Sequence, residues 1–243
     1  MKEVSIIIVA DLKPSYIDEE HVTIAVDAIR CSTTIIYAFL GKVKTVIPAE
    51  TIAEAKKLAK ATPNSFLVGE REGVKIRGFD FNNSPMEMEN ADIRGKSMVI
   101  TTSHGTKLIK LGMKRSKVTL IGALINANAC AEAAHRFSTN LQSDIRILIP
   151  WMKGGFAMED LYTAGLISTY LTRRGYKPAF DTVKAAQLIA TLPQSKVINE
   201  IKSSWSVRRI IEIGYEPDVE RCLTFNSTDV VPYSSEERLI IHE

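Results

Sequence analysis

No apolar run in this chain approaches the roughly 20 residues of a membrane-spanning helix, so no transmembrane segment is expected. Its three cysteines, Cys31, Cys130 and Cys222, are odd in number and far apart, which indicates neither a disulfide framework nor a zinc knuckle. The four histidines, His21, His104, His135 and His242, show no metal-ligand spacing. A formal charge of only +3 over 243 residues, with no Lys/Arg block, argues against nucleic acid or an anionic membrane as partner. Met1-Lys2-Glu3-Val4 runs directly into a strand-like segment with Asp11 close behind, unlike a secretory signal, and the expected location is cytoplasmic. G-x-x-x-x-G-K-[ST] is missing, which excludes a Walker phosphate loop. Asp27 lacks a second carboxylate two residues on, which disfavours an aspartyl-phosphate mechanism. Cys31 has no downstream arginine loop and reads as a small packing residue.

What is present is ordinary for a soluble globular protein, with 45% apolar and 24% charged residues. Apolar runs at 4–9, 22–26, 45–47, 65–68, 97–101, 118–121 and 145–149 read as strands, mostly buried on both faces. Helical periodicity lies between them. Ser32 or Thr33 caps one helix that Gly41 ends, and Thr51 opens a capping box. Further helices are predicted to about Leu111, from Asn126 to about Phe137 and from about Met158 to Arg174. Such alternation predicts a three-layer α/β/α fold with a mixed, largely parallel sheet. From about residue 181 the pattern turns helical, at 181–192, 197–201 and 207–213, before short segments at 230–233 and 239–241 return as edge strands. With no internal repeat and no linker, one compact α/β domain over 1–243 is expected, with a C-terminal helical lobe.

Ligands of open α/β sheets bind beyond the carboxyl ends of strands. Residues just past the predicted strands are Asp27 and Arg30, then Glu70 and Arg71, then Thr101 to Thr106, then Asn126, then Gly154, Gly155, Glu159 and Asp160. The opposite ends, near Lys44, Lys96, Lys117 and Asp144, carry ordinary solvating residues. This asymmetry predicts one active-site edge. The Thr101–Thr106 turn offers hydroxyls and helix N–H groups to an anion, or simply caps its helix. Arg30 and Arg71 either grip an anion or form structural ion pairs with Asp27 and Glu70. Asp27, Glu70, Asp80, Glu159 and Asp160 supply enough carboxylate for a Mg²⁺ site, although each alone reads sooner as a cap or surface charge. His104 is either a proton donor or a turn residue.

Four motifs in order carry a family resemblance: V-D-A-I-R-C-S-T-T at 26–34, G-E-R-E-G-V-K-I-R-G-F-D-F-N-N-S-P at 69–85, T-T-S-H-G-T at 101–106 and G-G-F-A-M-E-D-L-Y-T-A-G at 154–165. With G-A-L-I-N-A at 122–127 and D-V-V-P at 229–232, the chain resembles the 2-phosphosulfolactate phosphatase family of the coenzyme M pathway along almost its whole length. The resemblance implies a Mg²⁺-dependent phosphatase that converts 2-phospho-3-sulfolactate to 3-sulfolactate and phosphate, on a family-specific α/β/α fold. A small anionic phosphorylated substrate and a homodimer are expected with it. The functional positions it carries over are Asp27, Arg30, Glu70, Arg71, Asp80, Asn83, Ser84, Thr101, Thr102, Gly105, Thr106, Glu159 and Asp160. Cys31 replaces a usual alanine, His104 a usual asparagine, and Met152-Lys153 departs from the typical approach to Gly154.

Joined to substrate chemistry, these residues suggest Mg²⁺ on some of Asp27, Glu70 and Asp80, with Glu159 or Asp160 serving water or the leaving oxygen. Arg30, Arg71, Asn83, Ser84 and the Thr101–Thr106 turn would hold the anionic groups. Two alternatives stay open: the same chemistry on another small acidic phosphoester, or non-catalytic binding of a phosphorylated metabolite.

Overall fold

A computed structural model describes residues 1–9, 21–152 and 154–241. Asp11, Lys153 and His242 lie outside the described residues. In chain order the principal elements are β1 (Glu3–Val9), β2 (Val22–Val26), α1 (Thr33–Leu40), β3 (Thr45–Pro48), α2 (Ile52–Ala61), β4 (Ser65–Arg71), β5 (Val74–Lys75), α3 (Pro85–Asn90), β6 (Ser97–Thr101), α4 (Gly105–Arg115) and β7 (Val118–Gly122). They continue with α5 (Ala127–Leu141), β8 (Ile145–Met152), β9 (Gly155–Phe156), α6 (Met158–Thr172), β10 (Lys177–Pro178), α7 (Asp181–Ala190), α8 (Gln194–Ser203), α9 (Trp205–Glu212), α10 (Glu216–Cys222), β11 (Tyr233–Ser235) and β12 (Arg238–Ile240). The result is a mixed, mostly parallel sheet flanked by helices, the α/β/α layering expected from the alternation.

The sheet runs β10-β1-β8-β2-β7-β11-β12-β3-β6-β4-β5. One parallel set holds β10, β1, β8, β2 and β7, and a second holds β3, β6 and β4. Every residue of β2, β6 and β7 is buried, which is why those strands read as continuous apolar runs.

The C-terminal segments correct the sequence reading. They are not edge strands. The hairpin β11–β12 sits inside the sheet, where Tyr233 pairs with Leu120 of β7 and Leu239 with Val46 of β3, both antiparallel. Leu239 is fully buried there, so the short strand is held by packing of that side chain as well as by its ladder.

Three successive antiparallel joints, β7–β11, β11–β12 and β12–β3, make the two parallel sets run in opposite senses. Strand twist of about 20–25° per pairing, accumulated over β2–β7–β11–β12–β3–β6, turns much of that opposition away. α4 leaves the end of β6 and packs on β2, β7 and β8 of the other set. The carboxyl ends of β2, β4, β6 and β8 therefore open onto one cavity.

The helical segments after residue 181 join the body at two places. α7 packs on α6 and β1, and α8 to α10 bury Val197, Ile201, Val207, Val219 and Leu223 against Leu124 and Tyr162. Burying five such side chains is worth roughly 1.5–3 kcal/mol each, which fixes these helices against the sheet edge. No described helix is long and apolar enough to cross a membrane.

Candidate active site

At the end of β2 the chain turns sharply. Asp27 donates its N–H to Ser32 Oγ (3.0 Å) while its carboxylate accepts the Cys31 N–H (3.4 Å). This local cap leaves the half-buried carboxylate facing a cavity of about 440 Å³. Cys31 is fully buried and does not line the cavity, and desolvation raises its thiol well above the usual range. It packs, as expected.

Three buried carboxylates reach the same cavity, besides the exposed Glu72. Glu70, near the end of β4, accepts from the Gly73 N–H (2.7 Å), the Ser103 N–H (2.7 Å) and the Ser103 hydroxyl (3.2 Å). It thereby clamps the β4–β5 turn to the turn before α4. Gly73 carries φ +83°, a left-handed conformation that glycine adopts without strain. Glu159 and Asp160 open α6, where the helix dipole favours acids, yet they are only 2% and 3% exposed. Asp160 Oδ1 accepts the Ala28 N–H (2.7 Å), and Glu159 Oε1 accepts the Ser206 hydroxyl (3.0 Å). Glu159 Oε2 is buried with no hydrogen-bond partner among the described residues.

Burial and mutual repulsion set the protonation of this group. Desolvation, reinforced by Glu70 and opposed by His104, raises the Asp27 carboxyl to about 6. Desolvation, with a further contribution from Asp27 and opposition from Ser206, raises Glu159 to about 7. Asp160 is pushed well above the carboxylate range by desolvation first, then by Glu159 and Asp27. Buried carboxylates that raise one another in this way form a hard-oxygen donor set suited to a divalent cation. Among the described residues no three or more His, Cys, Asp and Glu side chains are placed to hold a metal ion between them. The arrangement suits an ion that takes one or two carboxylates and fills its remaining positions with water and substrate oxygens.

The arginines have other duties. Arg30 donates to Asp218 Oδ2 (2.7 Å) and to the Gly73 carbonyl (2.8 Å), with its guanidinium 4.4 Å from the Tyr215 ring centroid. A structural ion pair is found, but its partner is Asp218 and not Asp27. Asp218 also accepts the Ser84 hydroxyl (2.6 Å) and the Met86 N–H (3.1 Å), so one buried carboxylate joins three separate segments. Arg71 donates to the Glu70 carbonyl (2.6 Å) and to Thr101 Oγ1 (3.0 Å), and does not line the cavity.

Other expected groups are likewise committed locally. Thr102 and Thr106 exchange hydroxyl–N–H bonds of 3.1 Å each, which makes them a helix cap and leaves neither facing the cavity. Ser84 caps α3 through the Glu87 N–H (3.1 Å). Asp80 does not join Asp27 and Glu70: its exposed carboxylate accepts the Leu67 N–H (2.7 Å) on β4, which removes it from the expected metal set. Asn83 does line the cavity, with its Oδ1 buried and unpartnered among the described residues. His104 lies exposed at the cavity rim.

Sequence reading missed the far wall. α9 contributes Trp205, Ser206, Arg209 and Ile210. The spacing 205, 206, 209, 210 places four residues on one helix face, a signal legible only once the helix is extended back to Trp205. Asp218 had a local signal as well, since Glu216-Pro217 is a helix-opening pattern with proline in the first turn.

An α/β fold with four carboxylates gathered at converging strand ends has the build of a hydrolase site that works by acid–base chemistry. The chain belongs to the 2-phosphosulpholactate phosphatase family, whose model matches residues 7–237. It is 31% identical over 216 residues to a Caldanaerobacter subterraneus subsp. tengcongensis protein named "Probable 2-phosphosulfolactate phosphatase", covering 88% of each chain. Proteins of the same name from Clostridium tetani (33% over 231 residues, 94% and 96% of the two chains) and Clostridium acetobutylicum (31% over 234 residues, 96% and 97%) are similarly related.

Proposed function

We propose that this chain is a Mg²⁺-dependent phosphomonoesterase acting on 2-phospho-3-sulfolactate, with Asp27, Glu159 and Asp160 at the reacting centre. The observation that carries the reading is the buried carboxylate group itself, lining a cavity in a chain that belongs to a phosphatase family. Asp27 and Asp160 are the residues that would hold Mg²⁺, which when bound supplies positive charge to the phosphoryl oxygens.

Water attacks phosphorus and the bond from phosphorus to the C2 oxygen breaks. The departing oxygen takes one proton to become the hydroxyl of 3-sulfolactate, and the attacking water releases one proton as phosphate forms. Glu159 suits the proton to the leaving oxygen, because the residue lines the cavity with Oε2 buried and unpartnered among the described residues while Ser206 fixes Oε1. Its elevated range, about 7, keeps a fraction protonated at neutral pH. Glu70 positions Ser103 and Gly73 and contributes negative charge to the same corner. Asn83 lines the cavity, and its Oδ1, buried and without a partner among the described residues, is left as an acceptor for a water or a substrate hydroxyl.

His104 at the rim favours one second reading, the same chemistry on a different small acidic phosphoester. A binding protein for such a metabolite has no use for four carboxylates beside an anion, since they repel it. Phosphate release from 2-phosphosulfolactate, 2-phospholactate and an aryl phosphate, with and without Mg²⁺, separates these readings. Metal-dependent turnover that favours the sulfonate supports the proposal. Turnover of the aryl ester alone keeps the chemistry and discards the substrate, and no release from any ester overturns both.

A further inference from the structure

The cavity holds more negative than positive groups, and its cations are unequally free. Arg30 lines it but is saturated by Asp218, Gly73 and Tyr215, and Arg71 faces elsewhere. Arg209 lines it, is exposed, and has no side-chain hydrogen bond or ion pair among the described residues. It sits three residues from Ser206, on the α9 face that Ser206 pins to Glu159, so its backbone is tied to the cavity wall while its side chain stays free to meet a ligand. Its neighbours on that face, Trp205 and Ile210, give the wall an apolar surface in which a charged contact is strengthened.

We propose that Arg209 is the specificity residue of this site, receiving the oxyanion of the substrate that lies farthest from the phosphoester. The assignment rests on the phosphatase reading above and adds the residue that selects acidic over neutral esters. A guanidinium accepts a planar carboxylate or one face of a sulfonate through paired N–H donors, which a lysine ammonium reproduces only in charge. Arg209 touches neither the breaking bond nor the attacking water.

The test compares kcat/KM for 2-phosphosulfolactate with that for isopropyl phosphate, in the wild type, Arg209→Met and Arg209→Lys. Loss of a charge-assisted hydrogen bond predicts that discrimination for the acidic ester falls on the order of 10- to 100-fold in Arg209→Met, mainly through KM, with partial recovery in Arg209→Lys. 2-Phospholactate and the phosphate ester of 2-hydroxyethanesulfonate identify which oxyanion is received, as only the ester that keeps it shows the loss. Unchanged discrimination overturns the assignment.

A binding measurement separates this from the phosphatase reading. Titration of 3-sulfolactate, followed by Trp205 fluorescence in a Trp151→Phe background, requires no turnover. Affinity at least tenfold weaker in Arg209→Met supports the assignment even if no ester is hydrolysed, and equal affinity overturns it.

Discussion

Gly105 lies so close to Asp27 that a Cβ built at position 105 would stand 2.5 Å from the Asp27 Oδ2 and 2.6 Å from the Cys31 Cβ. Position 105 needs glycine for space, because its φ is not in the left-handed region. Gly105→Ala must displace either α4 or the Asp27 carboxylate, and a shift of about 1 Å at a reacting group costs roughly 100-fold. A kcat reduced by about that factor, with a folded far-UV spectrum, is expected. Wild-type kcat in this variant would remove Asp27 from the reacting centre.

The buried pair Arg30–Asp218 holds the turn after β2 against α10 and the β4–β5 turn, with both side chains 1% exposed. Removing one partner leaves an uncompensated buried charge, and urea denaturation of Asp218→Ala is expected to show a loss of about 3–5 kcal/mol. Replacing both, as Arg30→Met with Asp218→Leu, should recover part of that loss. A penalty below about 1 kcal/mol for Asp218→Ala contradicts the pairing.

Protonation couples the carboxylate group to stability. The folded-state ranges of Asp27, about 6, and Glu159, about 7, lie above those of free carboxyls. The folded chain therefore keeps protons that the unfolded chain releases, and stability falls as pH rises from about 4.5 through about 7, with the raised Asp160 carboxyl extending the fall in the same direction. In metal-free buffer the wild-type Tm should lose on the order of 5 °C across that window relative to Glu159→Gln, which lacks one of the titrating groups. A parallel Tm profile for the two proteins would place Glu159 outside the coupled group.

A divalent ion on Asp27 and Asp160 relieves their repulsion, so saturating Mg²⁺ should raise Tm by a few degrees at pH 8. In Asp160→Asn the increment should shrink to less than half. Equal increments in the two proteins would place the ion elsewhere.

The strand-end logic behind the sequence reading worked where function depends on which residue follows a strand. Asp27, Arg30, Glu70, His104, Glu159 and Asp160 all line the cavity for that reason. It failed where a polar residue near a strand end is consumed by its own backbone. Thr102 and Thr106 bond each other, and Asp80 bonds Leu67, because short polar side chains find nearby N–H groups first. The partner of Arg30 lies 188 residues away, a separation that no local pattern encodes. The hairpin β11–β12 was misplaced to an edge because short strands carry no signal of which neighbours they join. The wall formed by α9 was missed for a related reason, since it depends on how the helices after residue 181 pack on Leu124 and Tyr162.

The central claim is that Asp27 sits at the reacting centre of a metal-assisted phosphatase. Its most direct test is single-turnover phosphate release from 2-phosphosulfolactate in saturating Mg²⁺, comparing the wild type with Asp27→Asn. The amide preserves size and the Cys31 N–H contact while removing the charge. A rate lower by about three powers of ten, with an unchanged circular dichroism spectrum, is the result expected. Release within tenfold of the wild type would contradict the account.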